Sequence, residues 1–210
     1  MPLTPEARRT LRDSCPIVWP GFATPPPAEE FRLMGEWCAA NTVSHDLYGE
    51  GALIEGFEAK IAALLGKPAA VFMPSGVMAQ LIAVRIWTQR AGFGRFGLHP
   101  TSHLALHEEQ AYEALFGLHG APVGGRLTPI LAGDVEALAQ PLACLLMELP
   151  IREAGGQLPT WAELEALKAA AAARGLPLHL DGARLGRRRM GGTRKPAGPP
   201  RRIVARLRGA

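Results

Sequence analysis

Apolar residues first recur at helical spacing between Leu53 and Leu65. There Leu53, Ile54, Phe57, Ile61, Leu64 and Leu65 are interleaved with Glu55, Glu58 and Lys60. The pattern predicts an amphipathic helix closed by Gly66, and a shorter helix is expected from Ala28 to Asn41. The period then changes. Ala69-Ala70-Val71-Phe72-Met73 is apolar without polar alternation, the pattern of a strand covered on both faces in a parallel sheet. Pro74-Ser75-Gly76 follows as a tight turn, and Val77 to Trp87 reads as helix. A weak strand is expected at Arg95 to Leu98, then a loop, a helix from about His107 to Leu118 and another near Asp134 to Ala139. Ala143 to Glu148 reads as a second buried strand. Thr160-Trp161-Ala162-Glu163 is a capping box, because the hydroxyl and the carboxylate three residues later satisfy each other's backbone amides. Leu164, Leu167 and Ala171 continue that helix, Gly175 and Pro177 end it, and Leu176 to Asp181 is a strand finishing in an acid. Strands alternating with helices predict an α/β chain with a mostly parallel sheet.

The two ends depart from this rhythm. Residues 1–27 read as an arm, in which Pro16, Pro20, Pro25, Pro26 and Pro27 oppose helix formation. Residues 28–185 are expected to form one α/β domain. Residues 186–210 hold eight Arg, one Lys and no acid, a net +9 against −5 for the rest of the chain. Such a tail has too little apolar surface to offset its ordering entropy, so disorder is expected there.

Composition narrows the function classes. With 210 residues, 48% of them apolar, the chain is long enough for a real core, which excludes wholesale disorder. No apolar run reaches about 18 residues, so no membrane span is expected. The first twenty residues carry five charges and no apolar stretch, unlike a secretory signal. The three cysteines, Cys15, Cys38 and Cys144, are widely spaced, so a reducing, cytoplasmic setting is expected. The tail has arginines for phosphates but no aromatic residue for base stacking, which does not favour a nucleic-acid partner.

Three places carry candidate chemistry. Ser75-Gly76-Val77 lies between a strand end and a helix start, where free amides and the helix dipole favour a phosphate; a plain tight turn is the alternative. Asp181-Gly182-Ala183-Arg184 follows the last strand. Its acid can hold a protonated ring nitrogen and its arginine a carboxylate, or the two can form a structural pair. His99, His103 and His107 are four apart with Glu108 adjacent. They suit a metal only on one continuous helix, which Pro100 opposes; a loop-borne His103 lying over a flat cofactor is the other reading.

Four segments in order are similar to the threonine aldolase and β-eliminating lyase family. They are Leu47-Tyr48-Gly49-Glu50-Gly51; Leu65-Gly66-Lys67 through Phe72-Met73-Pro74-Ser75-Gly76; Ser102-His103 with His107-Glu108; and His179-Leu180-Asp181-Gly182-Ala183-Arg184-Leu185. The resemblance, over about residues 46–185, implies part of the large domain of the aspartate-aminotransferase (type I) fold, a partial three-layer sandwich. It implies pyridoxal 5'-phosphate as cofactor. Ser75, Gly76 and Val77 would hold its phosphate, His103 would stack on its ring, Asp181 would pair with its ring nitrogen, and Arg184 would bind the carboxylate of a small amino-acid substrate. It implies cleavage of threonine to glycine and acetaldehyde, or β-elimination, and a homodimer or tetramer in the complete family member, with Tyr48 near the interface.

The chain departs from the family in several places. Val77 stands where a threonine is usual, and Ile151 where a histidine accompanies the aldol step. Lys60, Lys67, Lys168 and Lys195 are its only lysines, and none occupies the position of the family's Schiff-base lysine. Cofactor binding would then be non-covalent at best, and this chain alone is expected to be inactive. A change of reading frame after Leu185 would account for the sudden Arg, Gly and Pro composition. A non-catalytic truncated protein or interaction module is the other reading.

Overall fold

The computed structural model describes residues 3–15 and 25–184. They divide into two compact units, 1–59 and 60 onward, at a boundary inside one helix.

The first unit holds α1 (Pro5–Asp13), α2 (Pro27–Ala40) and the start of α3 (Ala52–Leu65). The first of these was not expected. Pro5 occupies the first turn, where its missing amide costs nothing, and Thr4 caps the helix by accepting from Ala7 N at 3.2 Å. The prolines that oppose a helix all lie beyond its end. No residue of the second helix is buried. Asp46 Oδ1 accepts from Gly49 N in the turn that carries exposed Tyr48 at φ +60°.

The second unit contains α4 (Gly76–Ala91), β1 (Arg95–Leu98), α5 (His103–Leu106), α6 (Ala111–Phe116), β2 (His119–Pro122), α7 (Ala132–Glu136), β3 (Leu145–Glu148), α8 (Trp161–Ala173) and β4 (Leu178–Asp181). The strands form one parallel sheet in the order β2-β1-β3-β4.

Alternation along the central strand builds the layers. Leu145 and Met147 face a core made with Val135, Leu164, Leu167 and Ala171 of α7 and α8. Cys144 and Leu146 face the opposite core, made with Leu81, Val84, Leu104 and Tyr112 of α4, α5 and α6. Two helical layers thus enclose the sheet, the three-layer arrangement expected. Phe96, Leu145, Leu146 and Leu167 are fully buried, each worth about 1.5–3 kcal/mol of transfer free energy. The capping box forms as read: Thr160 Oγ1 accepts from Glu163 N at 3.3 Å, and Glu163 Oε2 accepts from Thr160 N at 2.7 Å.

Four sequence expectations need correction. Residues 69–73 are not a strand; Val71 is 71% and Phe72 51% exposed. A strand is defined by a ladder of hydrogen bonds to a neighbour, and residues 69–73 belong to none of the four strands of the described sheet. The helix expected from His107 begins instead at Ala111, because Glu109 and Gln110 both take positive φ and interrupt it. The helix expected at 134–139 is shorter and earlier, 132–136. Finally, β2 reads His-Gly-Ala-Pro and gives no apolar signal. It is an edge strand, where Pro122 is tolerated, and Gly120 leaves room for Leu98 and Tyr112, whose atoms would lie 2.8–3.1 Å from a Cβ. Among the described residues no helix is long and apolar enough to cross a membrane. The basic tail lies outside the described residues.

Candidate functional site

The carboxyl ends of the strands in a parallel α/β sheet are where ligands bind, and this end is rich in polar side chains. β3 ends in Glu148 and β4 in Asp181, and the two are direct register partners. Counting from Leu146, Glu148 faces the layer of α4, α5 and α6. Both acids are buried, at 3% and 6% exposure.

Asp181 is held from two sides. Its Oδ1 accepts from Ala183 N at 3.0 Å, which shapes the turn after the strand. Its Oδ2 accepts from Gln80 Nε2 at 2.7 Å. Among the described residues the other amide atom, Gln80 Oε1, is buried and accepts no hydrogen bond. Gln80 sits on α4, whose N-cap is Ser75. The five residues from Ser75 to Gln80 give about 7.5 Å of helix rise, so the Ser75 turn and Asp181 are joined through one side chain.

At that turn Ser75 Oγ accepts from Met78 N at 3.2 Å. Gly76 and Val77 occupy the first helical turn, where amides have no intrahelical acceptor, and both are exposed. A Cβ on Gly76 would meet nothing within 4 Å, so the space outside the turn is open.

His103 opens α5 rather than riding on a loop as the sequence suggested. Its backbone N donates to Glu148 Oε2 at 2.9 Å, and its ring Nδ1–H donates to Glu108 Oε1 at 2.8 Å. The Glu108 side chain is almost completely buried while the imidazole is 28% exposed, so the ring is anchored at its Nδ1 edge; the His107 ring also packs beside it, with centroids 5.1 Å apart and planes tilted by 41°. The other two histidines have their own hydrogen-bond partners. His99 is buried against Thr101 and the Thr128 carbonyl, and His107 reaches Glu153 at 3.0 Å. His103 and His107 are therefore neighbours, but among the described residues no group of three such side chains is placed to hold a metal.

Arg184 contacts Glu148, not Asp181: Nη1 donates to Oε1 at 2.5 Å. The structural Asp–Arg pair raised as an alternative is therefore not the pairing observed. Arg152, a possible further anion contact, lies mostly exposed beside Glu153, while its backbone N donates to Glu148 Oε1 at 3.3 Å. Ile151 is buried and bridges to Gln157.

Ser75, Gly76, Val77, His103, Asp181 and Arg184 therefore share one end of one sheet. Sequence reasoning passed over Gln80, Glu108 as the partner of the His103 ring, and Glu148. A signal for Glu148 was available: like Asp181, it is an acid terminating a strand, and its own strand is otherwise apolar. Nothing in the sequence ties Gln80 to a residue 101 positions away.

The donor set suits a phosphorylated, protonated nitrogen heterocycle bearing a carboxylate. Open amides suit the phosphate, Asp181 a ring N–H, the imidazole face a flat ring, and a guanidinium the carboxylate. Pyridoxal 5'-phosphate with an amino acid has these groups. Three of the four lysines lie among the described residues. Lys168 is on α8, across the sheet from Glu148, and Lys60 and Lys67 are exposed on and just after α3. Lys195 lies outside the described residues.

Comparison with known proteins gives the family of the chain. The family model for beta-eliminating lyases matches residues 28–186. Aldolase vrtJ of Penicillium aethiopicum is 31% identical over 158 residues, covering 70% of this chain and 39% of its own length. Low-specificity L-threonine aldolase 1 of Arabidopsis thaliana is 26% identical over 155 residues, 68% of this chain and 42% of its own. The solved structure of a Listeria monocytogenes protein assigned as an L-allo-threonine aldolase superposes with a TM-score of 0.71 at 41% identity, covering 78% of this chain and 45% of that one. The chain spans less than half the length of these relatives.

Proposed function

The chain belongs to the beta-eliminating lyase family, and from that membership we propose that it carries the cofactor half of a pyridoxal-phosphate carbon–carbon lyase site, one that binds the cofactor without a covalent bond. The observation that carries the reading is the Gln80–Asp181 hydrogen bond, which fixes a buried carboxylate against the helix that starts at Ser75.

In this reading the amides of Gly76 and Val77, with Ser75, hold the phosphate. Asp181 accepts the ring N–H and keeps that nitrogen protonated. The His103 imidazole, held at Nδ1 by Glu108, would pack against the ring. Arg184 receives the carboxylate of a small amino acid. When bound, pyridoxal phosphate supplies the electron sink for charge left at the α-carbon when a bond to it breaks. The reference reaction is threonine to glycine and acetaldehyde, with β-elimination as the variant. The chain by itself does not turn over, because no lysine stands at the anchoring position. A homodimer or tetramer belongs to the complete family member.

The test is a titration of the full chain with pyridoxal 5'-phosphate, followed by tryptophan fluorescence and then by borohydride treatment. Saturable binding that reverses on dilution is expected, with no fixed adduct from residues 75 to 184, and D181A and H103A each weaken binding about tenfold. Absence of saturable binding overturns the cofactor reading. A specific adduct at Lys195 with threonine turnover overturns the non-covalent, inactive form of it.

A further inference from the structure

We propose that Glu148 is the positioning residue of this site, a single buried carboxylate that sets both the imidazole expected over the cofactor ring and the guanidinium expected to take the substrate carboxylate. The inference rests on the reading above and adds a residue to which that reading gives no role.

The geometry is specific. Glu148 Oε2 accepts from His103 N at 2.9 Å, and Oε1 accepts from Arg184 Nη1 at 2.5 Å and Arg152 N at 3.3 Å. The Glu148 side chain is 1% exposed and that of Arg184 20%. A buried carboxylate with three donors is strongly restrained, since loss of any donor leaves it desolvated and under-bonded. The first restraint fixes the start of α5 and so the Cα from which the His103 ring projects. The second occupies one Nη of Arg184, and among the described residues the other guanidinium donors make no hydrogen bond, which leaves them for a ligand. Because Glu148 pairs in register with Asp181, the strand that carries this carboxylate lies beside the one that carries the ring-nitrogen acceptor. One side chain thus couples two contacts that would otherwise come from independent segments.

The test uses the full chain and two stable probes that need no lysine, pyridoxamine 5'-phosphate and N-(5'-phosphopyridoxyl)glycine, which differ by the carboxymethyl group. Their affinity ratio reports the contact of Arg184 with the carboxylate. The wild-type chain is expected to prefer the glycine adduct at least tenfold. E148Q puts an amide N–H against either Arg184 or His103 N, and is expected to reduce the preference to less than threefold, as R184A does. The E148Q/R184A double variant should lose no more than either single change. A residue that only stabilised the fold would lower both affinities alike and leave the ratio intact. A retained tenfold preference in E148Q, or additive losses in the double variant, overturns the proposal. Should E148Q not fold, E148D keeps the charge but withdraws the carboxylate by one methylene. A reduced ratio in E148D supports the coupling, and an unchanged one overturns it. Wild-type binding of both probes without preference removes the Arg184 contact and this inference with it, leaving the cofactor site; binding of neither removes the underlying reading.

Discussion

Gln80 and Asp181, 101 residues apart, are joined by a 2.7 Å hydrogen bond in which the amide Nε2 donates to Oδ2. With Ala183 N on the other oxygen, both oxygens of the carboxylate receive donors. Changing Asp181→Asn sets an amide donor against one of them. The expected cost is about 1–3 kcal/mol in urea denaturation. Adding Q80E restores an acceptor opposite the new amide, so the double variant should recover part of the loss; a double variant no more stable than D181N contradicts the pairing.

The pH dependence of stability should carry the mark of His179. Burial pushes its pKa below the ordinary 6.5, with the nearby Asp181 charge opposing the shift more weakly. The unfolded chain therefore takes up this proton at higher pH than the folded one. Stability from the neutral imidazole is complete above about pH 6.5 and falls as the pH drops through that value toward the lower folded pKa. Denaturation midpoints measured from pH 7.5 to 5 should decline, and H179N should flatten that decline.

Thiol reactivity should separate the cysteines. Cys15 and Cys38 are exposed, whereas Cys144 is buried beneath α4 and α6, and burial pushes its pKa up to about 12. An aromatic disulfide reagent should titrate two thiols in the native chain at pH 8 and the third only after denaturation. Three fast thiols would mean that the core around Leu146 is open.

Two substitutions on the helix behind the sheet probe its cap and its core. T160A removes the hydroxyl from the capping box and should cost about 1 kcal/mol. L167A empties a fully buried position between α8 and the sheet and should cost about 2–5 kcal/mol. Equilibrium unfolding measures both, and an order reversed from this would place Leu167 outside the core.

Local chemistry was legible in the sequence wherever it is self-contained. Thr160 and Glu163 declare their helix because both partners lie within four residues. The strand ending at Glu148 declares itself because burial on both faces demands an unbroken apolar run, and the one ending at Asp181 because Gly175 and Pro177 mark the end of the helix before it. Legibility failed where structure depends on a distant partner. Residues 69–73 have a strand's composition, but pairing decides, and that information is not in the run. β2 is the converse: a weak sequence made a strand by β1. The site followed the same rule. Asp181, Arg184, His103 and the Ser75 turn were each identifiable by residue type and neighbours, whereas the contacts that assemble them, Gln80 to Asp181 and Arg184 to Glu148, join segments far apart in the chain.

The largely exposed stretch from Ala69 to Met73 also bears on how the chain behaves in crowded solution. Five uncharged residues of this kind are the raw material of intermolecular cross-β stacking. Pro68 stands directly before them and Pro74 directly after, and neither can extend a ladder of main-chain hydrogen bonds. The stretch is thereby kept shorter than the six or seven residues that fibril-forming segments use, so two prolines act as gatekeepers against self-assembly.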